Sequence, residues 1–139
     1  MSSKKNLAIL GSTGSIGNQA LEVVEKFPDR FQVTVLTANC NADLLISQAI
    51  KFLPDTVVIA EEELYSKVKE ALSSYPVKVF AGNKSIEYIV QFDTVDIVLN
   101  SLVGISGLIP SIRAIENNKI LALANKESLV VAGDYINKL

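Results

Sequence analysis

The chain has 139 residues, 13 of them basic and 15 acidic, which gives a formal net charge of −2. This length suits one domain with one core, and the absence of any lysine or arginine run argues against a nucleic-acid partner. Apolar residues make up 49% of the sequence, but no stretch reaches the roughly 20 apolar residues that a membrane helix needs, which argues against a membrane partner.

The first apolar run, Leu7–Leu10, ends at Gly11 and predicts a strand buried on both faces. The run is too short for the apolar core of a signal peptide, so we expect a cytoplasmic protein. From Ser15 to Lys26 the apolar residues switch to helical spacing. The buried stripe of this helix is predicted to be Ile16, Ala20, Val23, Val24 and Phe27.

The alternation of strand and helix continues along the chain. Further strands are predicted at Gln32–Thr37, Thr56–Ile59, Val77–Phe80, Val95–Leu99 and Lys119–Leu123. Further helices are predicted near Ala42–Phe52, Glu62–Ser73, Lys84–Gln91 and Leu108–Asn117, with a last helix from Lys126. Because helices separate successive strands, the strands must run parallel with right-handed crossovers. The sequence therefore predicts a Rossmann-type α/β fold, a doubly wound, mainly parallel sheet in a single three-layer α/β/α domain.

A glycine loop follows the first predicted strand and opens the first predicted helix. Gly11, Gly14 and Gly17 have the spacing G-x-x-G-x-x-G, which only approximates the G-x-G-x-x-G dinucleotide fingerprint. Without a Cβ, Gly11 and Gly14 let the backbone turn sharply and approach a pyrophosphate, and Gly17 lets the helix pack against the strand. The position in the fold predicts a dinucleotide site, with a bare glycine turn as the alternative.

The anionic part of such a ligand would lie at the helix N-terminus, where free N–H groups and the helix dipole favour negative charge. The hydroxyl groups of Ser12, Thr13 and Ser15 are candidate donors. Residues about 20 positions further along the chain distinguish NAD from NADP. NAD enzymes have a carboxylate there, which binds the ribose 2′-hydroxyl. The stretch Leu36–Asn41 contains no carboxylate and no cation, but Asn39 and Asn41 offer donors to a 2′-phosphate. NADP is therefore predicted.

Other polar residues have both a chemical and a structural interpretation. Asn125–Ser128 follows the last predicted strand, where Lys126 would reach a phosphate or a carbonyl group, although the segment also suits a helix start. Gly104 and Gly107 would let backbone approach the nicotinamide, or would simply form a turn. We interpret Glu61–Glu63 as helix-start charges rather than a metal site.

Reactive residues are scarce in this sequence. It contains one cysteine and no histidine, so no internal disulfide and no Ser-His or Cys-His catalysis is expected within it. We interpret Cys40 as an inert thiol, because neither a histidine nor a neighbouring cation is present to activate it.

The segments Ile9–Gly17 and Leu123–Val130 resemble 1-deoxy-D-xylulose 5-phosphate reductoisomerases, and Val103–Leu108 resembles the V-G-x-x-G-L segment of that family. The likeness covers essentially the whole chain. It implies NADPH-dependent conversion of 1-deoxy-D-xylulose 5-phosphate to 2-C-methyl-D-erythritol 4-phosphate, a skeletal rearrangement followed by hydride transfer, in non-mevalonate isoprenoid biosynthesis. It also implies a divalent metal, Mg or Mn, and a homodimer.

The resemblance also assigns contacts by position. It implies a substrate-binding lysine at Lys126, and it implies NADPH contacts at Thr13, Gly14, Ser15, Ile16, Asn125 and Glu127. The chain departs from the family at Asn39–Cys40–Asn41, where many members have a glycine or basic residue followed by Asn, so either binding would be weaker or the NADP preference softer.

The stripe of Val130, Val131, Tyr135, Ile136 and Leu139 continues to the last residue without a glycine cap or a proline stop. We therefore expect residues 1–139 to be an NADPH-binding domain cut from a longer protein. The metal-binding acids and the catalytic lid of the resembled family lie beyond Leu139. Consequently no catalytic residue and no metal ligand is expected in this chain, which alone would be inactive.

Two other functions are compatible with the glycine loop. One is the N-terminal domain of an acyl-phosphate (semialdehyde) dehydrogenase, which has the same loop spacing but needs a cysteine and a histidine later in the chain. The motif at Asn125–Ser128 argues against it. The other is a stand-alone NAD(P)-sensing module whose last helix docks a partner protein.

Overall fold

A computed structural model describes residues 4–102 and 105–123. Within these residues the strands are β1 (Lys5–Leu10), β2 (Phe31–Ala38), β3 (Thr56–Ile59), β4 (Lys78–Ala81), β5 (Ile97–Asn100) and β6 (Ile120–Leu123). The helices are α1 (Ser15–Lys26), α2 (Ala42–Phe52), α3 (Tyr65–Ala71), α4 (Asn83–Ile89) and α5 (Ile105–Glu116). The predicted alternation of strand and helix is confirmed. The helix predicted from Lys126 lies outside the described residues.

The described strands form one sheet in the order β4-β3-β2-β1-β5-β6. Every neighbouring pair is parallel. The first half of the chain builds the sheet outward from β1 in one direction, and the second half starts beside β1 and builds it in the other. The order therefore reverses between β1 and β5, and ligands of open α/β sheets bind in the crevice at the carboxyl ends of the strands at such a point.

Helices cover both faces of the sheet, as a doubly wound fold requires. One core contains Leu21 of α1, Leu45 of α2 and Val68 of α3. The other contains Ile86 of α4 and Ala114 of α5. The central strand β1 supplies buried side chains to both cores, so the predicted three-layer Rossmann-type fold is confirmed. No helix in the described ranges is long and apolar enough to cross a bilayer.

The buried face of α1 differs from the predicted stripe. Gly17, Leu21 and Val24 are buried, whereas Ile16, Val23 and Phe27 are 40%, 47% and 45% exposed. The spacing i, i+4, i+7 holds for both sets, so periodicity alone could not choose between the two faces. The prediction was wrong for most of the stripe because a glycine occupies the first position of the buried face.

Most element boundaries shift by one or two residues from prediction, and three differences are larger or change the type of element. The segment predicted as one helix from Glu62 is a 3-10 turn, Glu62–Leu64, followed by the short helix α3. The strand predicted from Val95 begins at Ile97, although Val95 is buried. Helix α5 begins before Leu108, and Pro110 lies inside it.

Candidate functional site

The glycine loop lies at the carboxyl end of β1, where β5 is the neighbouring strand. Gly11 turns the chain with φ +80°, a conformation that L side chains rarely adopt. A Cβ atom at Gly11 would also lie 2.7 Å from Ser101 Oγ, at the end of β5. The turn is closed by the N–H of Gly14, which donates to Gly11 O over 3.2 Å. Backbone geometry and space therefore both require glycine at Gly11.

Gly17 is required for a different reason, close contact between two backbone segments. A Cβ atom there would lie 2.4 Å from Gly11 O and 2.5 Å from Ser12 Cα. Side chains do not approach backbone atoms this closely, and backbone cannot swing aside as a flexible side chain can. Gly17 thus packs the start of α1 against the turn that follows the strand, rather than against the strand itself as predicted.

Gly14 has no comparable structural reason to be glycine. Its φ is −80° and its ψ is 175°, an extended conformation open to any residue. A Cβ atom would meet only Gly11 O, at an ordinary distance of 3.6 Å. Gly14 is also exposed at the start of α1. A missing side chain at this point leaves room for something outside the chain to approach the helix N-terminus.

The N-terminus of α1 carries no side-chain cap, because its N-cap residue is Gly14. Helix α2 is different, since Asn41 Oδ1 accepts from Leu44 N–H over 3.2 Å. The first N–H groups of a helix have no partner within the helix and must be satisfied by caps, water or ligands. The uncapped end of α1 therefore has the donors and the dipole that bind a phosphate.

The three predicted hydroxyl donors separate into two groups. Ser12 is fully buried, and its Oγ donates to Gln48 Oε1 over 2.7 Å, away from solvent. The prediction that Ser12 donates to a ligand was therefore wrong. Thr13 is partly exposed and Ser15 is exposed, so both remain available at the solvent side of the loop.

Residues at the ends of the neighbouring strands also hydrogen-bond to the glycine loop. This role was not predicted from the sequence. Thr37 Oγ1, on β2, accepts from Gly11 N–H over 3.0 Å. The carbonyl group of Thr37 accepts from Ser12 N–H over 2.8 Å. Ser101 Oγ donates to Leu10 O over 2.6 Å. These bonds fix the turn before any ligand binds. Polar residues at the carboxyl ends of buried strands were the only sequence signal for them.

The residues predicted to read a 2′-phosphate lie at the end of β2. Asn39, Cys40 and Asn41 are all exposed. The structure also brings a cation to this region that is distant in sequence, because Lys67 Nζ on α3 lies 2.9 Å from Asp43 Oδ1 in the first turn of α2. The predicted absence of a cation thus holds for the stretch Leu36–Asn41 itself but not for its surroundings.

A buried polar cluster connects the carboxyl end of β5 to α5. Asn100 and Ser111 are buried, and Asn100 Nδ2 donates to Gly107 O and to Ser111 Oγ, both over 2.7 Å. Asn100 Oδ1 accepts from Leu102 N–H over 3.0 Å. Gly107 is therefore a buried position in α5 rather than part of an open loop.

Several predicted site residues lie outside the described residues: Gly104, Asn125, Lys126 and Glu127. Glu61–Glu63 are exposed residues around the 3-10 turn. In the part of the chain that the structure describes, no group of three or more His, Cys, Asp or Glu side chains is placed to hold a metal ion.

A doubly wound parallel sheet, with a glycine loop and an uncapped helix N-terminus at its switch point, defines the class of Rossmann-type nucleotide-binding domains. Residues 7–133 match the family model described as 1-deoxy-D-xylulose 5-phosphate reductoisomerase. The chain belongs to this family. That membership excludes the acyl-phosphate dehydrogenase alternative.

Curated relatives and solved structures agree with this assignment. The 1-deoxy-D-xylulose 5-phosphate reductoisomerases of Phocaeicola vulgatus and Porphyromonas gingivalis are 59% and 52% identical over 98% of this chain. The chain spans 36% and 35% of their respective lengths.

Among solved structures, the Zymomonas mobilis enzyme in complex with NADPH is 37% identical, with a TM-score of 0.90 over 98% of this chain and 36% of that chain. A DOX-P reductoisomerase in complex with NADPH, fosmidomycin and magnesium is 32% identical, with a TM-score of 0.88 over 96% of this chain and 33% of that chain.

Proposed function

We propose that this chain is the NADPH-binding domain of a longer 1-deoxy-D-xylulose 5-phosphate reductoisomerase. The observation that carries the proposal is the open N-terminus of α1 at Gly14, where neither packing nor a cap occupies the space in front of free N–H groups. In this family a solved relative is a complex with NADPH. The diphosphate of NADPH has the charge and the acceptor oxygens that this helix end suits.

Each part of the dinucleotide has a proposed set of contacts. The loop residues that would surround the diphosphate are Gly11, Thr13, Gly14, Ser15, Ile16 and Gly17. Asn39 and Asn41, exposed beside the start of α2, would donate to the 2′-phosphate of the adenosine. Asn125 and Glu127 are proposed as later NADPH contacts and Lys126 as a substrate contact, from the family motif alone. NADPH supplies the hydride when it is bound. The cofactor-contacting residues would hold and orient the NADPH.

The activity proposed for the longer protein is the conversion of 1-deoxy-D-xylulose 5-phosphate to 2-C-methyl-D-erythritol 4-phosphate by rearrangement and NADPH-dependent reduction. Solved relatives bind magnesium, and we propose the same metal or manganese here, held by residues other than the described ones. A homodimer and a cytoplasmic location remain predictions. On this proposal, residues 1–139 bind the cofactor but do not complete the reaction.

Calorimetric titration tests the cofactor half of the proposal. The purified chain is titrated with NADPH and with NADH at one ionic strength, and NADPH is repeated with Thr13→Ala. Saturable binding that prefers NADPH, and that the substitution weakens, is expected. Binding of neither cofactor by the unsubstituted chain would contradict the proposal that this chain carries a complete cofactor site.

A turnover assay tests the other part of the proposal, that this chain alone does not complete the reaction. The 139-residue chain is incubated with NADPH, 1-deoxy-D-xylulose 5-phosphate and Mg²⁺, and NADPH absorbance is followed. No turnover is expected from this chain, whereas the product of the complete reading frame should be active. Turnover by the short chain would overturn the assignment of catalysis to the rest of the protein. If the reading frame ends at Leu139 and the chain binds NADPH, the stand-alone sensing module becomes the better interpretation.

A further inference from the structure

A buried glutamine lies directly behind the glycine loop. Gln48, on α2, is 6% exposed and has fully buried apolar neighbours on its own helix, Leu45 and Ala49. Its Nε2 donates to Ser12 O over 2.9 Å and to Asn18 Oδ1 over 3.0 Å. Its Oε1 accepts from Ser12 Oγ. All of these partners belong to the glycine loop or to the first turn of α1, although Gln48 lies on a different helix.

Asn18 extends this network to the outer part of the loop. Its Nδ2 donates to Gly14 O over 2.9 Å and to Thr13 O over 3.2 Å. The carbonyl groups of Ser12, Thr13 and Gly14 therefore all accept hydrogen bonds from side-chain amides. Two linked amides account for all three bonds.

Binding a carbonyl group on one side fixes the N–H group on the other. In a trans peptide the C=O and the following N–H point in opposite directions. When Gln48 holds Ser12 O, the N–H of Thr13 is directed away from α2. Gly14 O is held both by the backbone N–H of Asn18, as in any helix, and by Asn18 Nδ2, so the N–H of Ser15 is directed out of the helix end. The network thus determines the direction of donors that an anion in front of Gly14 would use.

We infer that Gln48 and Asn18 are positioning residues that hold the N–H groups of Thr13 and Ser15 in the orientation that binds the diphosphate of NADPH. The inference rests on the proposed function, because NADPH is its ligand. Neither side chain contacts the diphosphate on this account; Gln48 acts through Ser12 and Asn18. Loop donors held in place before binding lose less conformational entropy when the ligand arrives.

The first test separates positioning from general stability. Gln48→Met keeps the length of the side chain and removes the amide. NADPH should bind about tenfold more weakly, which corresponds to about 1.4 kcal/mol. Adenosine 2′-monophosphate, which lacks the diphosphate, should bind with unchanged affinity in an NMR titration. Unchanged NADPH affinity, or an equal loss for both ligands, would overturn the inference.

A matched control is Thr34→Val, which changes a buried polar side chain on β2. Thr34 is 3% exposed, and its hydroxyl donates to Thr94 O rather than to any residue of the glycine loop. The Thr34→Val variant should bind NADPH and adenosine 2′-monophosphate with the same affinities as the unsubstituted chain. A loss of NADPH affinity in this variant as large as that of Gln48→Met would count against a specific role for Gln48.

The second test needs no ligand. Amide hydrogen exchange is compared at Gly14 and Asn18, whose N–H groups donate to Gly11 O and Gly14 O. Gln48→Met should speed exchange at both by at least about tenfold while the amides of β1 and β2 keep their protection. Unchanged exchange at the loop would overturn the inference. If the unsubstituted chain fails to bind NADPH, the proposed function fails, and this measurement still decides whether Gln48 orders the loop.

Discussion

A Cβ atom on Gly17 would lie 2.4 Å from the carbonyl oxygen of Gly11. This contact joins the first helix to the turn after the first strand, and it leaves no room for any side chain. Gly14, between these two glycines in sequence, has no such contact. The three glycines of one motif thus serve two purposes. Gly11 and Gly17 build the turn, and Gly14 leaves the approach to it open.

The first prediction follows from this difference. Gly17→Ala should lower the free energy of unfolding by about 1–3 kcal/mol, the usual cost of forcing extra atoms into a packed site. Gly14→Ala should change it by less than about 0.5 kcal/mol, because its added methyl group meets no close neighbour. Urea unfolding of both variants provides the comparison.

Calorimetry on the same two variants completes the test. Gly14→Ala should weaken NADPH binding about tenfold or more, since the methyl group occupies space proposed for the diphosphate and each tenfold step is about 1.4 kcal/mol. If the Gly14→Ala variant is as stable as the original chain and binds NADPH equally well, the diphosphate does not bind in front of Gly14.

The second prediction concerns two serines on opposite sides of the loop. Ser12→Ala should cost about 1–3 kcal/mol of stability, because it leaves the buried Gln48 Oε1 without its donor. Ser15→Ala should leave stability within about 0.5 kcal/mol and weaken NADPH binding, because Ser15 is exposed. Thermal unfolding and calorimetry measure the two effects. Equal stability of Ser12→Ala and the unsubstituted chain would contradict the buried hydrogen bond.

The parts of the fold that depend on local pattern were predictable from the sequence. Short apolar runs between helical segments identified the sheet, and the glycine spacing after the first run located the loop. The buried face of α1 was not predictable, because Gly17 contributes no hydrophobic signal while the exposed Ile16 and Val23 do. Hydrophobic periodicity detects side chains that fill space, and it cannot detect a position where the backbone itself fills the space.

The polar contacts that surround the glycine loop could not be predicted from the sequence either. Gln48 is separated from Ser12 by 36 residues, and Lys67 reaches Asp43 from another helix. Such pairs form only when folding places α2 beside the glycine loop and beside α3. Their residue types are common on helix surfaces, so nothing local distinguishes them from solvated side chains.

The third prediction concerns Thr37, which holds the turn from β2. Thr37→Val keeps the shape of the side chain and removes the acceptor of Gly11 N–H. Because that N–H is then left without its partner near the base of the loop, the free energy of unfolding should fall by about 1–3 kcal/mol. Thr34→Val, on the same strand, is the matched control and should cost less, since its bond of 3.4 Å is long. Urea unfolding that ranks the two variants in the opposite order would contradict this account.

The fourth prediction tests the choice of cofactor at Asn41. Asn41 caps α2, so Asn41→Ala should lower stability by about 1 kcal/mol. Aspartate is an equally good cap, and its charge suits a helix N-terminus, so Asn41→Asp should keep the stability of the unsubstituted chain. The two variants thus separate the capping role from any contact with the cofactor.

Asn41→Asp also places a carboxylate where a 2′-phosphate is proposed to bind. NADPH affinity should therefore fall by about tenfold or more, while NADH, which has a neutral ribose hydroxyl at that point, should bind as well or better. The ratio of the two dissociation constants, measured by calorimetry at one ionic strength, is the decisive quantity because it cancels any common effect on the loop. An unchanged ratio would mean that Asn41 caps α2 and does nothing for cofactor choice, and Lys67 on α3 would be the next residue to substitute.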